Sequence, residues 1–126
     1  AGVEAPALFE AVAAEASKKM ATFNPQNLAN MVWAYSTMGV EAPALFVVVA
    51  AHSSKKIAMF NPQNVANTVW AFAKAGILAP ALFETVAAES LKKIAMFTPQ
   101  PLAKIVWAYA TAGVEAPALF EAVATE

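Results

Sequence analysis

Residues 24–46 read Asn-Pro-Gln-Asn-Leu-Ala-Asn-Met-Val-Trp-Ala-Tyr-Ser-Thr-Met-Gly-Val-Glu-Ala-Pro-Ala-Leu-Phe, and this stretch decides the fold. Asn24 is a good N-cap, and Pro25 suits the first helical position, where a missing N–H costs nothing. Leu28, Met31, Val32 and Tyr35 then fall at i, i+3, i+4 and i+7, the apolar face of a helix. Gly39 supplies the left-handed residue with which helices often end. After Val40, Glu41 and Ala42, Pro43 opens a second helix. The stretch therefore encodes a helix A, a short loop and a helix B.

The same punctuation returns every 37 residues. Gly2, Gly39, Gly76 and Gly113 keep that spacing, as do Pro6, Pro43, Pro80 and Pro117, each inside Ala-Pro-Ala-Leu-Phe. Trp33, Trp70 and Trp107, Phe23, Phe60 and Phe97, and the prolines at 25, 62 and 99 share it too. Five independent markers with one period define a repeat array. A two-helix unit cannot bury its own apolar face, so neighbours must stack. The expected fold is all-α: one α-solenoid over residues 1–126, made of stacked antiparallel helix–turn–helix units with about seven helices. Its expected divisions are a partial repeat 1–23, repeats 24–60 and 61–97, and a partial repeat 98–126.

In the first copy, helix B is expected to bury Leu8, Phe9, Val12, Ala16 and Met20. Lys18 and Lys19 offset the negative end of its dipole. Glu15 and Glu89 precede Lys19 and Lys93 by four residues, the favourable orientation for an ion pair. The three tryptophans are expected in the core, as anchors packing one repeat on the next. Neither end has the polar face of a capping repeat, which implies a longer parent array or partners docked at both ends.

Composition narrows the function. The chain is 60% hydrophobic and 13% charged, but alanine supplies much of that excess and is the best helix former. The longest charge-free stretch, Met20 to Val40, is broken by Asn24, Gln26, Asn27 and Asn30, so no transmembrane segment is expected. The net charge of −1 gives no global footprint of a nucleic-acid binder. There is no cysteine, which excludes disulfides, thiolate metal sites and cysteine nucleophiles. His52 is the only histidine, so no histidine-based metal site or triad can be assembled. Glutamates such as Glu10, Glu84 and Glu121 recur at repeat-equivalent positions, and two of them even one repeat apart are too separated to share a proton. All four glycines are helix stops, which leaves no phosphate loop. The expectation is a binding or scaffolding surface and not an enzyme, with no cofactor, no metal and no small-molecule substrate.

The string at 24–35, Gly39 and the Ala-Pro-Ala-Leu-Phe that follows resemble octotricopeptide-like repeats. The 37-residue period is similar to that of their heptatricopeptide relatives, which accompany RAP-domain proteins. The resemblance covers the whole chain. It implies a helical-hairpin array of a chloroplast or mitochondrion that binds organellar RNA or is built into a large assembly. The chain departs from that pattern in having no arginine and no RAP-like or nuclease domain.

Candidate contacts follow from the stripe of helix A not used for core packing, at i, i+4, i+7 and i+11. It contains Gln26, Asn30, Trp33 and Thr37, then Gln63, Asn67, Trp70 and Lys74, then Gln100, Lys104, Trp107 and Thr111, with Asn27 and Asn64 beside it. Amides with donors and acceptors suit base edges, while Asn27 and Gln26 can instead serve free N–H groups of the first helical turn. The pairs Lys18-Lys19, Lys55-Lys56 and Lys92-Lys93 form a ladder that either tracks a phosphate backbone or complements helix dipoles. The expected partner is single-stranded RNA read along helix A, and the alternative is a scaffold gripping protein subunits of a larger complex. For the second, Val47, Val48 and Val49 form a candidate docking patch.

Overall fold

In the computed structural model, which describes residues 6–126, seven helices alternate between two layers. The B layer holds α1 (Pro6–Lys19), α3 (Pro43–Lys56), α5 (Pro80–Lys92) and α7 (Pro117–Thr125). The A layer holds α2 (Pro25–Met38), α4 (Pro62–Ala75) and α6 (Pro99–Ala112). One 3₁₀ turn leads from each of the first three B helices into the next A helix, at Met20–Thr22, Ile57–Met59 and Ile94–Met96. This is the all-helical solenoid that the period implies. Gly2, the first of the glycine series, lies outside the described residues.

Local chemistry sets the helix ends. Asn24 Oδ1 accepts the Asn27 N–H at 2.7 Å, while Asn27 Oδ1 accepts the Asn24 N–H at 3.1 Å. Asn61 and Asn64 repeat this capping box at the start of α4. At α6 the equivalent residues are Thr98 and Pro101, and no side-chain cap forms. Pro101 has no N–H, so the donor that the asparagines satisfy elsewhere does not exist there. Each A helix ends on a glycine with φ near +70°, and the next N–H (Val40, Ile77, Val114) returns to the carbonyl of Tyr35, Phe72 or Tyr109 at 3.0 Å. That six-to-one bond is a Schellman closure, and it turns the chain toward the following B helix.

The A helices stack directly on one another and far more closely than the B helices do. Buried alanines at 29, 66, 71 and 108 let their axes approach, and Val32, Val69 and Ile105 fill the seam. A stack shorter on one side curves, so the A layer forms the concave side and grooves open between successive B helices. The two layers meet through aromatic pairs. Phe9 packs on Tyr35, Phe46 on Phe72 and Phe83 on Tyr109, with ring centroids 5.1, 5.0 and 4.9 Å apart. The Tyr35 and Tyr109 hydroxyls also donate to the backbone carbonyls of Phe9 and Phe83.

Consecutive B units are clipped by a lysine. Lys56 Nζ donates to the carbonyls of Ala21 and Phe23 at 3.1 and 2.7 Å. Lys93 Nζ does the same to Ala58 and Phe60, at 2.9 and 3.2 Å. Each cation thus satisfies carbonyls left free where the previous unit turns from B to A. The expected pairs Glu15–Lys19 and Glu89–Lys93 are present at 3.0 and 3.2 Å.

Three expectations are corrected. Leu8 and Val12 are exposed, although their counterparts Leu45, Leu82, Val49 and Val86 are buried. Leu119 on α7 is buried as well, so this face packs on the preceding unit, and no described helix precedes α1. Of the three valines at 47–49, only Val47 is exposed; Val49 is fully buried and Val48 packs against the core. The tryptophans are not fully buried: Trp33 and Trp107 are 41% and 45% exposed, while Trp70 is half-buried, packs against the core and meets Trp107 of the next repeat. They project from the A layer on the side away from the aromatic seam.

Three outcomes test this account. Gly76→Ala places a Cβ with no atom within 4 Å, so only its left-handed backbone resists; urea unfolding should show a loss of about 1 kcal/mol. Ser53 and Ser90 bury hydroxyl oxygens that have no hydrogen-bond partner, where the first copy has Ala16. Ser53→Ala and Ser90→Ala should each raise stability by about 1 kcal/mol in the same assay. Burial holds the Tyr109 hydroxyl well above its ordinary pKa of 10.0. Below that pH both folded and unfolded chains keep the proton. Above it the unfolded chain releases the proton first, so Tyr109 lowers stability as pH rises. Tyr109→Phe should therefore flatten the alkaline fall of the melting temperature.

Candidate functional site

The stripe expected on helix A is solvent-facing along its length. Gln26, Asn30, Thr37, Gln63, Lys74, Gln100 and Thr111 are exposed, and Asn67 and Lys104 are half-buried where α4 meets α6. Asn27 and Asn64 are separated from this group by their chemistry, because both are engaged in the capping boxes.

The α4–α6 junction draws the stripe into a cluster. Lys104 Nζ donates to Asn67 Oδ1 at 2.8 Å, and Gln63 Nε2 donates to the same oxygen at 3.2 Å. Two donors thus share the Asn67 oxygen. Trp70 and Trp107 lie across the junction with centroids 6.0 Å apart and planes tilted by 34°. Lys74 and Lys104 both stand over the Trp70 ring, at 5.3 and 5.8 Å from its centroid. Such contacts hold the ammonium groups against the indole without neutralising them. The surface presented is a pair of half-exposed indoles edged by cationic and amide donors. At the α2–α4 junction the residue in register with Lys104 is Asn67, so the matching position there is an uncharged amide.

The charge around this surface is one-sided. None of the nine glutamates lies on an A helix, whereas Lys74 and Lys104 both do. Among the described residues, the glutamates lie on the B helices, in the loops before them or just past α7. A chain of net charge −1 therefore has a concave layer whose only formal charges are positive. The tryptophans belong in this candidate site, from which their size had excluded them. The signal was available: they occupy the i+7 place of the stripe that holds the polar candidates, opposite the face of Leu28, Val32 and Tyr35.

The lysine ladder divides. Lys18, Lys55 and Lys92 are exposed at the ends of their helices, with Lys92 4.0 Å from Glu89. Lys56 and Lys93 are committed to backbone carbonyls, and Lys19 to Glu15. Two of the three ammonium donors of Lys56 and of Lys93 are thus engaged by carbonyls of the preceding unit, and Lys93 also pairs with Glu89, which leaves them less free for phosphate than the exposed lysines. Elsewhere, no described helix is long and apolar enough to cross a membrane.

Among curated proteins, none matches the sequence significantly. Residues 2–126 match the RNA-editing substrate-binding complex 6 protein family over almost the entire chain. A helical array with an acid-free, indole-bearing concave layer accords with an RNA-related family, and this chain belongs to the RNA-editing substrate-binding complex 6 proteins.

Proposed function

We propose that the chain binds single-stranded RNA along its A layer, as an RNA-handling element of an RNA-editing substrate-binding complex. The observation that carries this reading is the Trp70–Trp107 pair flanked by Lys74 and Lys104 on a layer without a single carboxylate. Indole faces stack on any base, and lysines supply the sequence-independent attraction to phosphate. The side-chain amides of Gln26, Asn30, Gln63, Asn67 and Gln100 are suited to unpaired base edges. Asn30, Asn67 and Lys104 share one register, as do Thr37, Lys74 and Thr111, so successive units present different side chains to successive parts of a strand. The octotricopeptide-like character of the repeat supports the same reading and an organellar home, chloroplast or mitochondrion. A second reading, a scaffold for other subunits of the complex, is favoured by the apolar side chains that the B layer exposes, Val47 among them.

Fluorescence anisotropy with a labelled single-stranded RNA pool across a salt series tests the proposal. Binding should weaken with salt, and Trp70→Ala should cost about 1–3 kcal/mol. Lys74→Ala with Lys104→Ala should lower the salt slope by about 0.7 for each phosphate that is no longer neutralised. Absence of binding at low salt, or affinity indifferent to both sets of changes, would sink the A-layer assignment and leave the scaffold reading.

A further inference from the structure

Successive B helices leave three equivalent grooves, and the middle one differs from both neighbours at two positions. The α1–α3 groove is walled in part by Glu10 and Glu41, and the α5–α7 groove by Glu84 and Glu115. The residues in the same registers between α3 and α5 are Val47 and Leu78. They are 64% and 79% exposed, so neither contributes appreciably to the fold that presents it. The floor between them is formed by Ala50, Ala51, Ile77 and Pro80, which makes a continuous apolar cleft of about 260 Å³. Losing one glutamate from a repeat is ordinary variation. Losing both glutamates that wall one groove, and no other, creates a single uncharged slot between two acidic ones.

We propose that the α3–α5 groove docks an amphipathic helix of a partner polypeptide that is apolar on one face and basic along its flanks. Leucine-like side chains at i, i+3, i+4 and i+7 enter between Val47 and Leu78, as helices commonly seat in grooves. The acidic pairs on either side, Glu10 with Glu41 and Glu84 with Glu115, favour lysine or arginine on those flanks and disfavour an acidic partner. Lys55, exposed one residue past Ser54 at the end of the groove, keeps basic residues from that end and so gives the bound helix a direction. The inference rests on the B layer alone. It stands or falls separately from RNA binding on the opposite layer.

The test uses the whole chain and a fluorescent synthetic helix with leucines at i, i+3, i+4 and i+7 and lysines elsewhere. One saturable site is expected. Val47→Glu with Leu78→Glu copies residues that the neighbouring grooves already carry, so folding should be preserved. It should weaken binding at least about tenfold even though it adds negative charge, because the apolar seat is lost. Glu84→Val with Glu115→Leu transplants the seat to the α5–α7 groove and should raise the stoichiometry from one helix to two. A helix with glutamates in place of the lysines should bind at least about tenfold more weakly. Unchanged or tighter binding to the double-glutamate variant would show capture by general acidity and overturn the proposal. So would equal binding of the acidic helix, or no binding of the basic one. Self-association in sedimentation that the double-glutamate variant abolishes would also overturn it, by making a second copy of the chain the occupant.

Discussion

The close stacking of A helix on A helix is the constraint from which the rest of the molecule follows. It depends on small side chains at the seam, Ala29, Ala66, Ala71 and Ala108, with Val32, Val69 and Ile105 filling what they leave. Larger residues there would separate the axes and straighten the stack. Because the A helices approach and the B helices do not, the layer becomes concave, Trp70 reaches Trp107, and Lys104 reaches Asn67 of the unit before. The same asymmetry opens the grooves on the opposite side. Two surfaces of different chemistry thus arise from one packing choice.

Charge is partitioned along the same division. Summed over the chain, lysine and glutamate nearly cancel, and the total describes neither layer. The A helices have lysine as their only formal charge, while Glu10, Glu15, Glu84, Glu89 and Glu121 stand on B helices. A polyanion meets the local field of the surface it approaches within a Debye length of about 8–10 Å, so the layer and not the total decides attraction. Most of the described carboxylates that lower the isoelectric point lie on the B helices and not on the A helices.

Helix identity, helix ends and their order were legible because each depends on interactions within a few residues. Asn24 and Asn27 cap one another, Pro43 starts its helix, and Gly39 closes its predecessor, whatever packs nearby. Stacking was legible too, since a repeat that cannot bury its own face has no other resort. Burial at the edges of the stripe was not. Leu8 and Leu45 have the same local sequence, and only the presence of a preceding unit makes one core and the other surface. The tryptophans were misplaced for a related reason: size argues for burial in general, but the side of the helix is set by register, and their register is that of Gln63 and Asn67. The lysine ladder could not be divided from sequence, because Lys55 and Lys56 are adjacent and differ only in which one the curvature aims at the previous unit's carbonyls. Within the candidate site, the stripe was legible as a set of residues, but the cluster at the α4–α6 junction required the distance between helices.

The lysine clip also gives the array a direction. Lys56 closes the turn of the unit before it, and Lys93 closes the turn at Ala58 and Phe60, so the hydrogen bonding of each of these turns is completed by the successor. In a linear chain of nearest-neighbour couplings, such an arrangement makes the two ends inequivalent. Losing a unit from the C-terminal side leaves bare carbonyls on its neighbour, a gap in the hydrogen bonding of a turn. Losing one from the N-terminal side releases a lysine to water and bares the leucine and valine that α1 shows exposed as Leu8 and Val12. The array is therefore polarised in kind: each turn is closed by hydrogen bonds from the C-terminal side, and each apolar B face is covered from the N-terminal side.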